Sequence, residues 1–134
     1  MTIFERVIEF STTKELEIVD ITDYVKEAVE DSGIKDGICL VFVPGATGAV
    51  ILNENDSSLL EDLKNILNDL IPQEKEYEHP INARSHLRAI LLGNNQCISI
   101  KNGELELGTW QQIMFINLDT RARKRKVIIK IIGD

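Results

Sequence analysis

Residues 97–113 read Cys97-Ile98-Ser99-Ile100-Lys101-Asn102-Gly103-Glu104-Leu105-Glu106-Leu107-Gly108-Thr109-Trp110-Gln111-Gln112-Ile113. Asn102-Gly103 divides two runs in which apolar residues alternate with polar ones, the pattern of a β-hairpin closed by a tight turn. Gly108-Thr109 marks a second bend, after which strand-like sequence resumes over 110–118 and again over 126–132. Strands near 96–100, 104–107, 110–118 and 126–132 thus follow one another with no helix between them. Parallel neighbours need a long crossover, so this half of the chain builds antiparallel sheet.

Outward from that stretch, a short helix is expected from about Asn82 to Gly93, carrying His86, Leu87, Ile90 and Leu91. The segment Ser57–Ile71 repeats Leu59, Leu60, Leu63, Ile66, Leu67 and Leu70 at helical spacing, giving one apolar stripe. Ser58 with Glu61 fits a capping box, and Pro72 stops the helix. TGAVILNEN reads as a strand. Residues 37–43 (GICLVFV) are nearly all apolar, as in a strand buried on both faces. Thr22 to Ser32 reads as a helix with Thr22 as N-cap and Gly33 as its stop. Residues 3–10 and 15–21 read as a hairpin around Ser11-Thr12-Thr13. Five to eight strands and three helices, outside strict βαβ alternation, define an α+β fold with a largely antiparallel or mixed sheet. Residues 1–134 form a single domain, since no repeat or linker-like stretch interrupts them.

Composition excludes several classes. The chain has 134 residues, 43% hydrophobic and only 5% aromatic, so its core is mainly aliphatic. No apolar run approaches the roughly 18 residues of a membrane helix, and MTIFERVIEF lacks a signal peptide's apolar centre. A cytoplasmic location is expected. Fifteen Lys and Arg stand against 22 Asp and Glu, a net charge of −7, which argues against general nucleic-acid binding. Cys39 and Cys97, both in apolar runs, read as buried reduced thiols.

Four segments carry functional side chains, each with a plainer alternative. His79 and His86, the only histidines, flank the start of a helix on which Asn82 and His86 share a face. They read either as ordinary hydrogen-bonded histidines or as a metal or proton-transfer pair, beside a helix N-terminus suited to an anion. In Asn53-Glu54-Asn55-Asp56 the polar residues serve as caps, with Asp56 or Ser57 as the N-cap, or Glu54 acts as metal ligand or general base. Trp110 reads first as core. Beside Gln111 and Gln112 it is also suited to orienting a planar polar ligand. Arg121-Ala122-Arg123-Lys124-Arg125-Lys126 reads as a solvated edge or as a phosphate site.

Together these segments resemble the YjbQ-like family, small proteins often labelled secondary thiamine-phosphate synthases. The likeness is carried by Ser99–Ile113 with its Gly-Thr-Trp-Gln, by Asn82-Ala83-Arg84-Ser85-His86-Leu87-Arg88-Ala89 with His79 ahead of it, by Val41-Phe42-Val43-Pro44 with Asn53-Glu54-Asn55, and by Arg123 and Arg125 as a closing Arg-x-Arg. The resemblance implies an α+β homotrimer with a polar, histidine-containing pocket that takes a divalent metal (zinc or magnesium) or a small phosphorylated ligand. In a thiamine-phosphate synthase of this kind His86, His79 and Glu54 would do acid/base work, with His79 and His86 as metal ligands. Asn82, Trp110, Gln111, Arg123 and Arg125 would bind substrate. The alternative is a trimeric phosphate- or metal-binding module without catalysis. Two positions depart from the family: Gly45 stands where a histidine is usual, and Asn117 where a glutamate precedes the final Asp119.

Overall fold

The computed structural model describes all 134 residues, Met1–Asp134. The strands are β1 (Thr2–Thr12), β2 (Ile18–Asp20), β3 (Asp36–Phe42), β4 (Gly48–Glu54), β5 (Asn95–Lys101), β6 (Glu104–Leu105), β7 (Gln111–Asn117) and β8 (Arg123–Gly133). The helices are α1 (Thr22–Ser32), α2 (Ser57–Leu70) and α3 (Ala83–Leu92). One sheet has the order β1-β8-β3-β5-β6 and the other β2-β7-β4. Every pairing is antiparallel, so the α+β class holds and the sheets contain no mixed pairing.

The two sheets stack face to face. Cys39, Val41, Ile98, Ile100, Val127, Ile129 and Ile131 of the large sheet meet Val50, Ile113 and Phe115 of the small one, with Val25 and Val29 of α1 in the same cluster. The opposite face of the small sheet packs Ala49 and Ile116 against Leu67 of α2 and Ala89 of α3. The layers therefore run sheet, sheet, helices. The small sheet is the middle layer, and its central strand β7 is the one buried on both faces, from Ile113 to Asn117. The same expectation for GICLVFV fails. β3 alternates instead, with Cys39 and Val41 inside and Ile38 outside, because nothing covers the outer face of the large sheet.

The expected hairpin between residues 3–10 and 15–21 is also absent. β1 pairs with β8 and β2 with β7, so the intervening turn carries the chain from one sheet to the other. Leu16, at φ 65°, breaks the run of extended backbone there. α1 ends at Gly33 in the left-handed conformation, as expected, but Thr22 is its first residue and not its cap; Thr22 Oγ1 donates to Asp20 Oδ1 at 2.6 Å. α2 is capped by Asp56, whose Oδ2 accepts from the Leu59 amide at 2.9 Å and from Ser58 Oγ, and the Ser58–Glu61 box does not form. Cys39 is buried, whereas Cys97 is exposed on the uncovered outer face.

Candidate functional site

At one end of the middle sheet, three connections converge: the β3–β4 loop, the segment leading into α3, and the β7–β8 loop. Between them lies a pocket of about 460 Å³ lined by Ala46, Thr47, Pro80, Asn82, His86, Asp119, Arg121 and Arg123, with Ile81 and Thr120 at its margin. The approach to α3 is strained. Ile81 takes φ 72°, rare for a β-branched residue, while the Asn82 amide reaches back to the Pro80 carbonyl at 2.9 Å, forming a γ-turn. Ile81 is 92% exposed, so its side chain gains no packing from this geometry. The consequence is that Asn82 stands at the N-cap of α3 with its side chain turned away from capping.

Asn82 Oδ1 instead lies 3.1 Å from His79 Nε2, and the His79 and His86 rings meet edge to face at 5.0 Å between centroids. That bond fixes the orientation of the His79 ring beside the start of α3. α3 has no side-chain cap; its Ser85 amide bonds back to the Asn82 carbonyl at 3.0 Å, and Ala83 and Arg84 line a neighbouring hollow together with His79.

The pocket's other wall is a chain of buried polar groups. Arg125 Nη2 donates to Asn117 Oδ1 (2.5 Å), to the Thr47 carbonyl (2.9 Å) and to Thr47 Oγ1 (3.1 Å). Thr47 Oγ1 donates on to Asp119 Oδ2 (3.3 Å), which also accepts from Arg123 Nη1 (2.8 Å). Burial raises the Asp119 carboxyl, but Arg123 and the Thr47 hydroxyl more than offset it, and the net shift is downward from 3.8. Arg125 has no carboxylate bonded to it, and its buried Nε has no partner. Burial first, and Arg123 second, push that guanidinium below its ordinary range, with Asp119 opposing in part. Asn117, where the resemblance places a glutamate, gives Arg125 an uncharged oxygen, so the positive charge behind Thr47 is not neutralised on the spot.

The residues expected to form one site separate into two groups. His86, Asn82 and Arg123 line the pocket, His79 lies outside it in an adjoining hollow while bonded to Asn82, and Arg125 lies behind Thr47. Glu54, Trp110 and Gln111 gather at the far end of β4 and β7 around a separate open hollow. Six residues of β4 separate Gly48 from Glu54, about 20 Å at the rise of a strand. Trp110 is 71% exposed and not core. The Gln111 side chain is already engaged, accepting from the Gly108 amide at 3.0 Å to close the Gly108–Gln111 bend. Thr47 was not singled out from sequence, Asp119 entered only as the residue closing the family's motif, and Arg121 only as the start of the basic run. Thr47 and Asp119 are among the few buried polar side chains, a property that residue type does not announce.

A two-sheet α+β sandwich with a cationic, histidine-bearing pocket at one end of its middle layer is the class that this geometry defines. The chain belongs to the UPF0047, YjbQ-like family, whose model matches residues 6–134. It is 39% identical to a UPF0047 protein of Methanothermobacter thermautotrophicus over 99% of this chain and 94% of that one. It is 42% identical to a UPF0047 protein of Archaeoglobus fulgidus over 92% and 97%. Among solved structures, a YbjQ-like protein of unknown function from Sulfolobus solfataricus superposes with a TM-score of 0.90 at 33% identity, covering 99% of this chain and 100% of the other. A YjbQ/UPF0047 protein from Clostridium acetobutylicum gives 0.85 at 40% identity, covering 93% and 99%. No helix is long and apolar enough to cross a membrane.

Proposed function

We propose that the pocket between Thr47, His86 and Arg123 binds a small phosphorylated ligand. The observation that carries this reading is Arg125: a guanidinium 7% exposed, bonded only to uncharged oxygens, with Nε orphaned behind the pocket wall. A buried cation with no carboxylate bonded to it, and with Asp119 compensating only in part, is costly, and an anion at the pocket lowers that cost. Arg121 and Arg123 supply guanidinium donors that match phosphate oxygens, with Asn82 and His86 on the opposite side. Isothermal titration of the purified protein with inorganic phosphate and simple phosphate monoesters tests this. Saturable binding that weakens about tenfold in Arg123→Gln, a loss of about 1.4 kcal/mol, is expected. Absence of saturable binding at millimolar ligand would remove the reading.

The thiamine-phosphate synthase activity implied by the family likeness is the finer form of the proposal. His86 and His79 would then move protons, with the His79 ring held in place by its bond to Asn82. Trp110 lies too far from this pocket to stack on a ring held there, so a single chain supplies the phosphate half of such a site and not the aromatic half. A product assay with both phosphorylated substrates and Mg²⁺ decides it: thiamine phosphate must form above background and be lost in His86→Ala.

For a divalent metal, the donor set fits poorly. His79 and His86 give two imidazoles, one already bonded to Asn82, where zinc takes three protein ligands. Glu54 is at the wrong end of β4 to be the third. Self-association as a homotrimer is supported by the outer face of the large sheet, where Ile3, Val7 and Ile38 are exposed beside Leu40, Phe42, Ile128 and Ile132. Light scattering that finds a monomer at micromolar concentration would exclude it.

A further inference from the structure

α3 holds the histidine side of the pocket, yet it has little apolar purchase on the fold. Ala89 and Leu92 are its contributions to the small hydrophobic cluster, while Leu87, Ile90 and Leu91 face outward. What fixes it is polar. Glu15, in the turn between β1 and β2, accepts from Arg84 Nε at 2.8 Å and Nη2 at 2.9 Å, a two-bond fork, and from Arg88 Nη1 at 3.1 Å. Arg88 is 1% exposed and reaches on to Asn68 Oδ1 (2.9 Å) and the Ile71 carbonyl (2.8 Å) at the end of α2. Arg84 and Arg88, four residues apart, share one face of α3, and His86 projects from the opposite one.

The same turn is bonded to the other wall of the pocket. Asn117 Nδ2 donates to the Lys14 carbonyl at 2.7 Å, the Leu16 amide donates to the Asn117 carbonyl at 2.7 Å, and the Asn117 amide to the Glu17 carbonyl at 2.9 Å. Asn117 in turn holds Arg125. The turn is stiff: Leu16 sits at φ 65°, and the Glu17 carboxylate accepts from both the amide and hydroxyl of Thr13.

We propose that the β1–β2 turn is a strap registering α3 against the β7–β8 end of the sheet. In it Glu15 is a positioning residue: through Arg84 and Arg88 it sets the rotation of α3 that presents His86 to the Thr47–Asp119–Arg123 wall. The effect on ligand affinity rests on the phosphate reading above, whereas the effect on His86 does not.

The full chain is prepared as Glu15→Gln and Arg84→Gln, with Asp31→Asn as a control that removes an exposed carboxylate paired to Arg6. With His79 and His86 the only histidines, their ring resonances and the contact between the rings are read directly by NMR in ¹⁵N-histidine-labelled protein. Inorganic phosphate is the affinity probe. Both test variants are expected to shift the His86 ring signals and weaken its cross-peak to His79, with phosphate affinity falling about tenfold. The direction is diagnostic for Glu15→Gln, because deleting a negative charge strengthens anion binding through bulk electrostatics alone. Asp31→Asn should leave the histidine signals in place. A folded Arg84→Gln with unaltered His86 signals overturns the strap, as does a gain of phosphate affinity in Glu15→Gln. Should Glu15→Gln fail to fold with Arg88 left buried, Arg84→Gln, which keeps the Glu15–Arg88 pair, decides alone. If the parent protein binds no phosphate, the anion reading fails while the ring signals still judge the strap.

Discussion

Gly45 stands where the family resemblance implies a histidine, and its backbone shows what a histidine would meet there. It takes φ 103°, and a Cβ built there meets nothing within 4 Å. Space therefore admits a histidine, while conformation resists it, because side chains other than glycine are strained at that angle. Gly45→His is expected to lose about 1–2 kcal/mol of stability in denaturant melts. Asp119 is the second single-residue case. Its folded-state carboxyl lies below the ordinary 3.8, so the stabilisation it gives is fully present above that value and disappears as pH falls through the lower folded value. Asp119→Asn should therefore flatten the stability profile below about pH 4, and a profile equally steep in the variant would show that other carboxylates set it. Residue type made His79, His86, Asn82 and Arg123 legible beforehand, since imidazole and guanidinium carry their chemistry in their identity. Thr47 and Asp119 were not legible, because their role comes from being buried between three loops that only the folded chain brings together.

Elements were legible where a local stop signal exists. Gly33 ends α1 and Pro72 follows α2, each for a backbone reason that needs no tertiary context. Strand partnership was not, because two alternating runs look the same whether they pair with each other or with distant strands. The β1–β2 segment belongs to this class: Leu16 and the Glu17–Thr13 bonds turn it out of one sheet and into the other. The pairing of β3 with β8 has a determinant of its own in Gly37 opposite Gly133. A Cβ at Gly37 would come within 2.1 Å of the Ile132 carbonyl oxygen, and one at Gly133 within 2.1 Å of the Asp36 oxygen, so neither strand admits a side chain without backbone displacement. Gly37→Ala is expected to lower stability by about 2–3 kcal/mol, measured as the urea midpoint, with Gly103→Ala, strained at φ 80° but facing only the flexible Lys35 side chain, as the milder comparison. An unaltered midpoint in Gly37→Ala would mean that the two strands separate freely at this end.

On the scale of the whole molecule, the net charge of −7 and the basic pocket coexist because the charges are segregated. Acids crowd α2 and the loop after it, while Arg121, Arg123 and Arg125 converge at one end of the sandwich. The outer face of the large sheet is the other global asymmetry. Rows of Ile3, Ile132 and Ile38, and of Val7, Ile128 and Phe42, run across it on either side of the Glu5–Lys130–Leu40–Cys97 row. The two cysteines report on opposite sides of that sheet. Burial, together with the neighbouring Cys97, pushes the Cys39 thiol up to about 12, so at pH 8 it is almost wholly protonated and unreactive towards maleimide until the protein unfolds. Cys97 faces outward at the β5 end of that middle row, next to Leu40 and between Asn95 and Ser99 of its own strand. If copies associate through this face, Cys97 labelling counted by mass spectrometry should slow as protein concentration rises, while Cys39 stays unlabelled throughout. A labelling rate that does not change across the concentrations at which light scattering detects an oligomer would assign the interface to another surface, because a second copy seated on this face cannot leave its thiol fully open to the reagent.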